Sequence, residues 1–176
     1  MKQITGWYFA PHDNRLGYGD GREITVGITH TVTGDIVPCK NGLHLSKNPL
    51  DAIQYASGPI VYKARGFGIV VPHGNPIDKY ACSKRIYLAG GIDATETLRL
   101  FARQCALDVI HLWDAPDVVK QYLKTGDEKI RAAAWAAAWD AARAAARDAA
   151  REKQNARLKK LLNELIKMRQ AVELPG

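Results

Sequence analysis

IRAAAWAAAWDAARAAARDAAREKQNARLKKLLNELIKMRQAVEL, Ile130 to Leu174, is the stretch on which the reading of the fold turns. Of the 19 residues from Ala132 to Ala150, 13 are alanine, the best helix former, and neither Gly nor Pro interrupts the chain before Pro175. Residues four apart on a helix drift by about 40° per step, so Trp135, Trp139, Arg143, Arg147 and Arg151 trace one slowly winding stripe. Asp140–Arg143 and Asp148–Arg151 are three apart, the spacing of ion pairs on a solvated face. Beyond them Leu158, Leu161, Leu165, Met168 and Val172 follow the three–four spacing of a short coiled-coil seam. One unbroken helix over this stretch would be roughly 65 Å long, with Lys153–Asn155 the place for a kink. An apolar seam on a projecting helix is left wet in a monomer. The expectation is therefore self-association or docking on a partner, ahead of folding back.

Upstream, the chain supplies first strands and then helices. Asp127 and Glu128 put negative charge at the positive end of the long helix. Before them, Pro116–Leu123 reads as a short helix ended near Gly126. Ala94–Leu112 reads as an amphipathic helix, with Leu98, Phe101, Ala102, Cys105, Val109 and Leu112 at helical spacing and a capping-box-like start at Asp93 and Glu96. The region in front carries short strands: Trp7–Ala10, the alternating Ile24, Val26, Ile28, His30 and Val32, Gly42–Ser46, Ile60–Ala64, Ile69–Val71 and Arg85–Leu88. Asn48 and Pro49 open a short helix between strands. Strands followed by helices predict an α+β protein, mainly antiparallel. The expected divisions are a β-rich domain over 1–92, an amphipathic helix pair over 93–126, and the long helix over 127–176.

Composition narrows the class. The chain has 176 residues, 47% hydrophobic and 24% charged, the profile of a folded globular protein. No apolar run reaches the ~18 residues of a membrane span, and the first ten residues lack a signal-peptide pattern, so the expected location is the cytoplasm, with no membrane partner. Cys39, Cys82 and Cys105 are far apart and odd in number, which fits free thiols better than a disulfide framework. The net charge is +7. It is spread along the chain: 14 Lys and Arg against 11 Asp and Glu in residues 1–126, and 11 against 7 in residues 127–176. Such an excess favours an acidic partner, whether nucleotide, nucleic acid or protein surface.

Several segments together resemble a family of uncharacterised bacteriophage and prophage proteins. They are Gly42-Leu43-His44-Leu45-Ser46 with Pro49-Leu50-Asp51-Ala52 and Tyr55-Ala56; Glu96-Thr97-Leu98-Arg99; Val109-Ile110-His111-Leu112-Trp113-Asp114-Ala115-Pro116; Thr125-Gly126-Asp127-Glu128; and the repeated Asp-Ala-Ala-Arg units. The resemblance covers most of the chain. It implies a phage origin, action in the bacterial host cytoplasm, and a role within or against the host, with a bacterial defence protein or its nucleotide signal as partner.

Residues with chemical potential concentrate in the β-rich part. His44 and Ser46 lie where a strand end meets a helix amino terminus, a natural place for an anion. Lys63, Arg65 and Arg85 on later strands would add positive charge, making these five the candidate ligand-binding residues. The Gly-x-His strand near a tyrosine-bearing helix also resembles ADP-ribosyltransferase-like and tRNA-phosphotransferase-like folds. Cys39, His44, His73 and Cys82 lack the tight spacing of a zinc site, so no metal and no resident cofactor is expected. No catalytic set stands out. Asp114/Asp117 and Asp127/Glu128 sit at helix starts, where caps and dipoles account for them. Trp135, Trp139, Arg143, Arg147, Arg151, Leu158, Leu161, Leu165 and Met168 are the candidate partner or oligomer surface.

The function expected from these observations is a non-enzymatic, counter-defence binding protein. It would sequester an anionic nucleotide signal or mask a protein or nucleic-acid surface, and assemble through its C-terminal helix. The alternatives are an NAD-using ADP-ribosyltransferase-like enzyme and a structural phage protein.

Overall fold

The computed structural model describes residues 3–112, 114–138 and 148–173. In chain order it contains β1 (Ile4–Ala10), β2 (Thr29–Thr31), β3 (Leu43–Leu45), α1 (Pro49–Ile53), β4 (Ile60–His73), β5 (Lys79–Asp93), α2 (Thr95–Asp108), a 3-10 turn (Ile110–Leu112), α3 (Asp117–Thr125), α4 (Glu128–Ala138) and α5 (Asp148–Glu173). The fold is α+β, with an antiparallel sheet of five strands and a long C-terminal helix.

The sheet is built on the β4–β5 hairpin. β1 pairs with the free edge of β4. β5 carries β3 along Tyr80–Cys82 and β2 along Lys84–Ile86. The chain then closes on itself. Just past β3, the Ser46 N–H donates to the Trp7 carbonyl at 3.1 Å and the Trp7 N–H to the Ser46 carbonyl at 2.7 Å. The path β1–β4–β5–β3 thus returns to β1. Closing so few strands needs strong coiling, and β4 and β5 supply it with irregularities at Val61/Tyr62, Lys63/Ala64 and Phe67/Val70. Gly66 is part of the same solution, since a Cβ there would stand 2.3 Å from Cys82 Sγ and 2.7 Å from Leu45 Cδ2. Inside lie Ile4, Ala10, Leu43, Leu45, Tyr62, Ala64, Cys82 and Tyr87.

Three sequence expectations change here. Ile24–Val32 is not one strand: Gly27 takes φ +88°, its N–H donates to the Tyr87 carbonyl, and Ile28 turns back onto Thr25. The turn leaves Val26 and Ile28 exposed, and only Thr29–Thr31 forms ladder. The two short strands around Gly66–Gly68 are one strand with a bulge. Arg85–Leu88 is the middle of a strand running from Lys79 to Asp93.

The chain forms two compact units. One comprises Met1–Thr95 with Leu158–Gly176, the other Glu96–Arg157. In the helical unit Phe101, Ala115, Val119 and Ala134 are buried, and Arg157 pairs with Asp108 at 2.8 Å. α2 ends at Asp108, short of the expected Leu112. The tighter 3-10 turn rotates Leu112 off the buried face, leaving it 55% exposed. α3 stops at Gly126, whose left-handed conformation (φ 71°) caps it. In the sheet unit, the C-terminal segment contributes Leu158, Leu162 and Ile166, all buried. Their spacing is four and four, so the buried row passes between the expected seam positions. Leu161 and Leu165 flank it half-buried, and Met168 is 62% exposed. Residues 158–176 therefore group with the sheet, and the chain divides differently from the three consecutive blocks expected from sequence. The expectation of one unbroken helix from Ile130 to Leu174 falls on 139–147, which lie outside the described residues.

Candidate functional site

A cavity of about 440 Å³ opens on the sheet unit beside β3 and β5. That volume lies in the range of ~300–1,000 Å³ typical of small-molecule sites. Six segments build its wall. The hairpin tip at Gly17–Asp20 brings Tyr18, fully exposed at its crest. The turn after Val37 brings Cys39, Lys40 and Asn41. β3 brings His44. β1, the residues after α1, and β5 bring Tyr8, Tyr55, Lys79 and Arg85.

Arg85 dominates the electrostatics. Its side chain is 1% exposed. Nε and Nη2 donate to the Tyr87 hydroxyl at 3.1 and 2.6 Å, Nη1 donates to the His44 carbonyl, and the guanidinium lies 3.7 Å from the centre of the Tyr8 ring. Of five guanidinium hydrogens, these three bonds use three. No carboxylate among the described residues forms an ion pair with Arg85. Two donors from Arg85 occupy the lone pairs of the Tyr87 oxygen, so its own hydrogen goes to His30 Nδ1, 3.0 Å away. His30 is accordingly neutral: burial lowers its pKa, and the charges of Arg22 and Arg85 lower it further.

Lys79 is a second buried cation, 6% exposed. Its ammonium lies 3.7 Å from the centre of the Tyr55 ring and donates to Cys39 Sγ at 3.2 Å. The Tyr55 hydroxyl donates to Asp78 Oδ2 at 2.5 Å, which with burial pushes its pKa up to about 12. His44 sits opposite Ala81 in the ladder, and its Nε2 accepts the Cys39 N–H at 3.2 Å. Burial, followed by the charges of Lys79, Arg85 and His73, drives the His44 pKa down to about 4. His44 is therefore a neutral acceptor at pH 7. Among the described residues the one carboxylate on the cavity wall is Asp20, bound through both oxygens by Arg22 at 2.6 and 2.7 Å and held below the usual carboxylate range by that contact.

Compared with known proteins, the chain matches no family model, no curated protein and no solved structure.

Of the five candidate ligand residues, the structure brings His44 and Arg85 together on the cavity wall. Ser46 is 2% exposed and committed through its backbone to Trp7; it lines a smaller chamber of about 40 Å³ behind His44, together with Trp7. Trp7 Nε1 is buried there without a partner among the described residues. Lys63 and Arg65 are displaced from the cavity. On β4 the core takes Tyr62 and Ala64, and alternation sends Lys63 and Arg65 to the opposite face. Lys63 lies over the Trp7 ring at 4.2 Å, and burial, with the charge of Lys159, lowers its pKa. The cations that join Arg85 are instead Lys79 and Lys40. Lys79 is six residues before Arg85, an even spacing that marks the same face of one strand; that signal becomes readable once the strand is known to begin at residue 79. Among the described residues no group of His, Cys, Asp and Glu has the makings of a metal site. No described helix is long and apolar enough to cross a membrane. Of the partner-surface candidates, Trp135 is 58% exposed on α4. Arg151 lies on α5, its side chain beyond the described ones. Trp139, Arg143 and Arg147 lie outside the described residues.

Proposed function

We propose that this chain is a non-enzymatic binding protein that holds a nucleotide-type anion in the cavity between Arg85 and Lys79. The observation that carries the proposal is Arg85: a guanidinium 1% exposed, facing a cavity, with hydrogens left over and no carboxylate paired to it among the described residues. Burying an unpaired charge costs several kcal/mol even after relaxation, and an anionic ligand offsets that cost. Phosphate suits the planar, multi-donor geometry of Arg. Lys79 and Lys40 add charge on the same wall, which Tyr8, Tyr18 and Tyr55 share. Transfer chemistry at a glycosidic bond draws on a carboxylate beside the reacting carbon, and Asp20 is already committed to Arg22. This favours binding over the transferase alternative. The resemblance to phage proteins supplies the biological setting: sequestering a nucleotide signal would silence a host defence that depends on it.

The test is ligand-dependent melting of the purified protein with inorganic phosphate, mononucleotides, a cyclic dinucleotide and a phosphate-free nucleoside. The expected result is a rise of several degrees with at least one phosphorylated ligand, none with the nucleoside alone, and loss of the rise in Arg85→Met. No shift with any anion removes the proposal. Mass spectrometry of small molecules released from protein purified out of signalling cells then identifies the natural ligand.

A further inference from the structure

Cys39 is the part of the cavity wall that anion binding leaves unexplained. It is exposed and holds a left-handed backbone conformation (φ 67°), uncommon for a residue with a side chain. The strain is balanced by a tight turn, in which the Lys40 and Asn41 amides both donate to the Val37 carbonyl. The turn fixes where the thiol points. Lys79 Nζ lies 3.2 Å from Cys39 Sγ and His73 Nε2 lies 3.9 Å from it. An ammonium and an imidazole beside one sulfur are the partners a thiol nucleophile uses, one to meet negative charge and the other to take the proton. The other two cysteines lack it: Cys82 is fully buried, and burial pushes its pKa up to about 11, while burial likewise raises that of Cys105.

A second observation, independent of the thiol, points to a ligand at the same place. The cavity that Cys39 lines is also lined by Arg85, nine-tenths buried and without a carboxylate partner among the described residues. An anion drawn to Arg85 and Lys79 is thereby delivered to the sulfur.

We propose that Cys39 is a reactive thiol that exchanges with small anionic disulfides drawn into the cavity, so that a mixed disulfide at Cys39 occupies the ligand site. In the exchange the Cys39 S–H proton passes to His73 Nε2. The sulfur attacks one sulfur of the incoming disulfide R–S–S–R, the old S–S bond breaks as the Cys39–S–S–R bond forms, and RS⁻ leaves and takes the proton back from His73. Cys39 is oxidised, half of the disulfide is reduced, and no other oxidant is needed. Negative charge spread over three sulfurs in the transition state is met by the Lys79 ammonium. The competition with nucleotide rests on the proposed function; the exchange itself does not.

The test is the rate of thiolation of the folded protein by 5,5′-dithiobis(2-nitrobenzoate), an anionic aromatic disulfide, followed by released thiolate and by peptide mapping. One thiol should react at least ten-fold faster than the same thiols in the urea-unfolded protein, map to Cys39, and vanish in Cys39→Ser. Lys79→Met should slow it ten-fold or more while Cys39 stays exposed. The neutral 2-hydroxyethyl disulfide should show little of this dependence on Lys79. Inorganic phosphate or a nucleotide that raises the melting temperature should slow the reaction. A Cys39 rate equal to that of the unfolded chain, or one unaffected by Lys79→Met, overturns the proposal. A fast Lys79-dependent reaction without nucleotide protection upholds the reactive thiol and removes the competition between the two ligands.

Discussion

Arg85 is where stability and ligand binding pull in opposite directions. In Arg85→Met the lost hydrogen bonds to Tyr87 and the His44 carbonyl weigh against removal of an unpaired buried charge, and such exchanges are often neutral or stabilising. The ligand-free variant should therefore unfold within about 1–2 kcal/mol of the parent, measured by urea denaturation, while losing ligand-dependent stabilisation altogether. A large loss in the ligand-free state would instead mark Arg85 as purely structural. His44 gives a second residue-level test. Its folded pKa is about 4, below the ordinary value near 6.5, so the unfolded chain binds the extra proton first. The stability it contributes is fully present above pH ~6.5 and is lost as pH falls toward 4, by up to about 3 kcal/mol. His44→Gln should flatten that part of the pH–stability curve. That His44 and Arg85 lie on strands was legible from sequence, because a His two residues from a strand glycine and an Arg inside a strand are local signals, and both line the cavity. The places of Cys39, Tyr8 and Tyr55 at the site were not, because segments far apart in sequence bring Cys39 and Tyr55 to Lys79 and Tyr8 to Arg85.

Among the elements, the C-terminal helix shows what periodicity can and cannot resolve. The leucine-rich character of residues 158–168 was evident, and so was the need to cover it. Which row is covered depends on a choice between two overlapping periods. Leu158, Leu161, Leu165 and Met168 suit a coiled-coil seam; Leu158, Leu162 and Ile166 are the row that is buried. Leu162→Ala should cost about 2–5 kcal/mol, the range for emptying a packed core site, whereas Met168→Ala should change stability by less than about 0.5 kcal/mol. Equal effects at the two positions would restore the seam. The strands tell a similar story. Alternation places Gly27 inside a strand and Gly66–Gly68 at a bend between two, yet Gly27 breaks its strand and the Gly66–Gly68 segment lets a strand continue through a bulge. A glycine alone does not say which; the partner strand does. Gly66→Ala should destabilise by about 1–3 kcal/mol, since the new methyl group is forced onto Cys82 and Leu45.

For the whole molecule, strands followed by helices were enough to fix the α+β class, because that order depends only on local patterns. The division into units was not legible. It depends on residues 158–176 grouping with a sheet formed by the first 95 residues, a pairing across long sequence separation that no local window contains. The sheet unit should thus need both. A chain ended at Arg157 should show faster amide exchange at Trp7 and Ser46, the pair that closes the sheet, and a lower unfolding midpoint than the parent. Unchanged exchange at those two amides would show that the first 95 residues stand alone.

That arrangement also bears on how the protein is made. Chains fold largely from the amino terminus as they leave the ribosome, at about 5–20 residues per second. Here the first strands emerge early, but Leu158, Leu162 and Ile166 follow only after all of residues 96–157 have been synthesised. During that interval the sheet unit lacks its C-terminal segment, and the burial of Leu158, Leu162 and Ile166 has to wait. The helical stretch between the two parts of the unit acts as a built-in delay, and the newborn chain is exposed to chaperones and proteases for as long as the delay lasts.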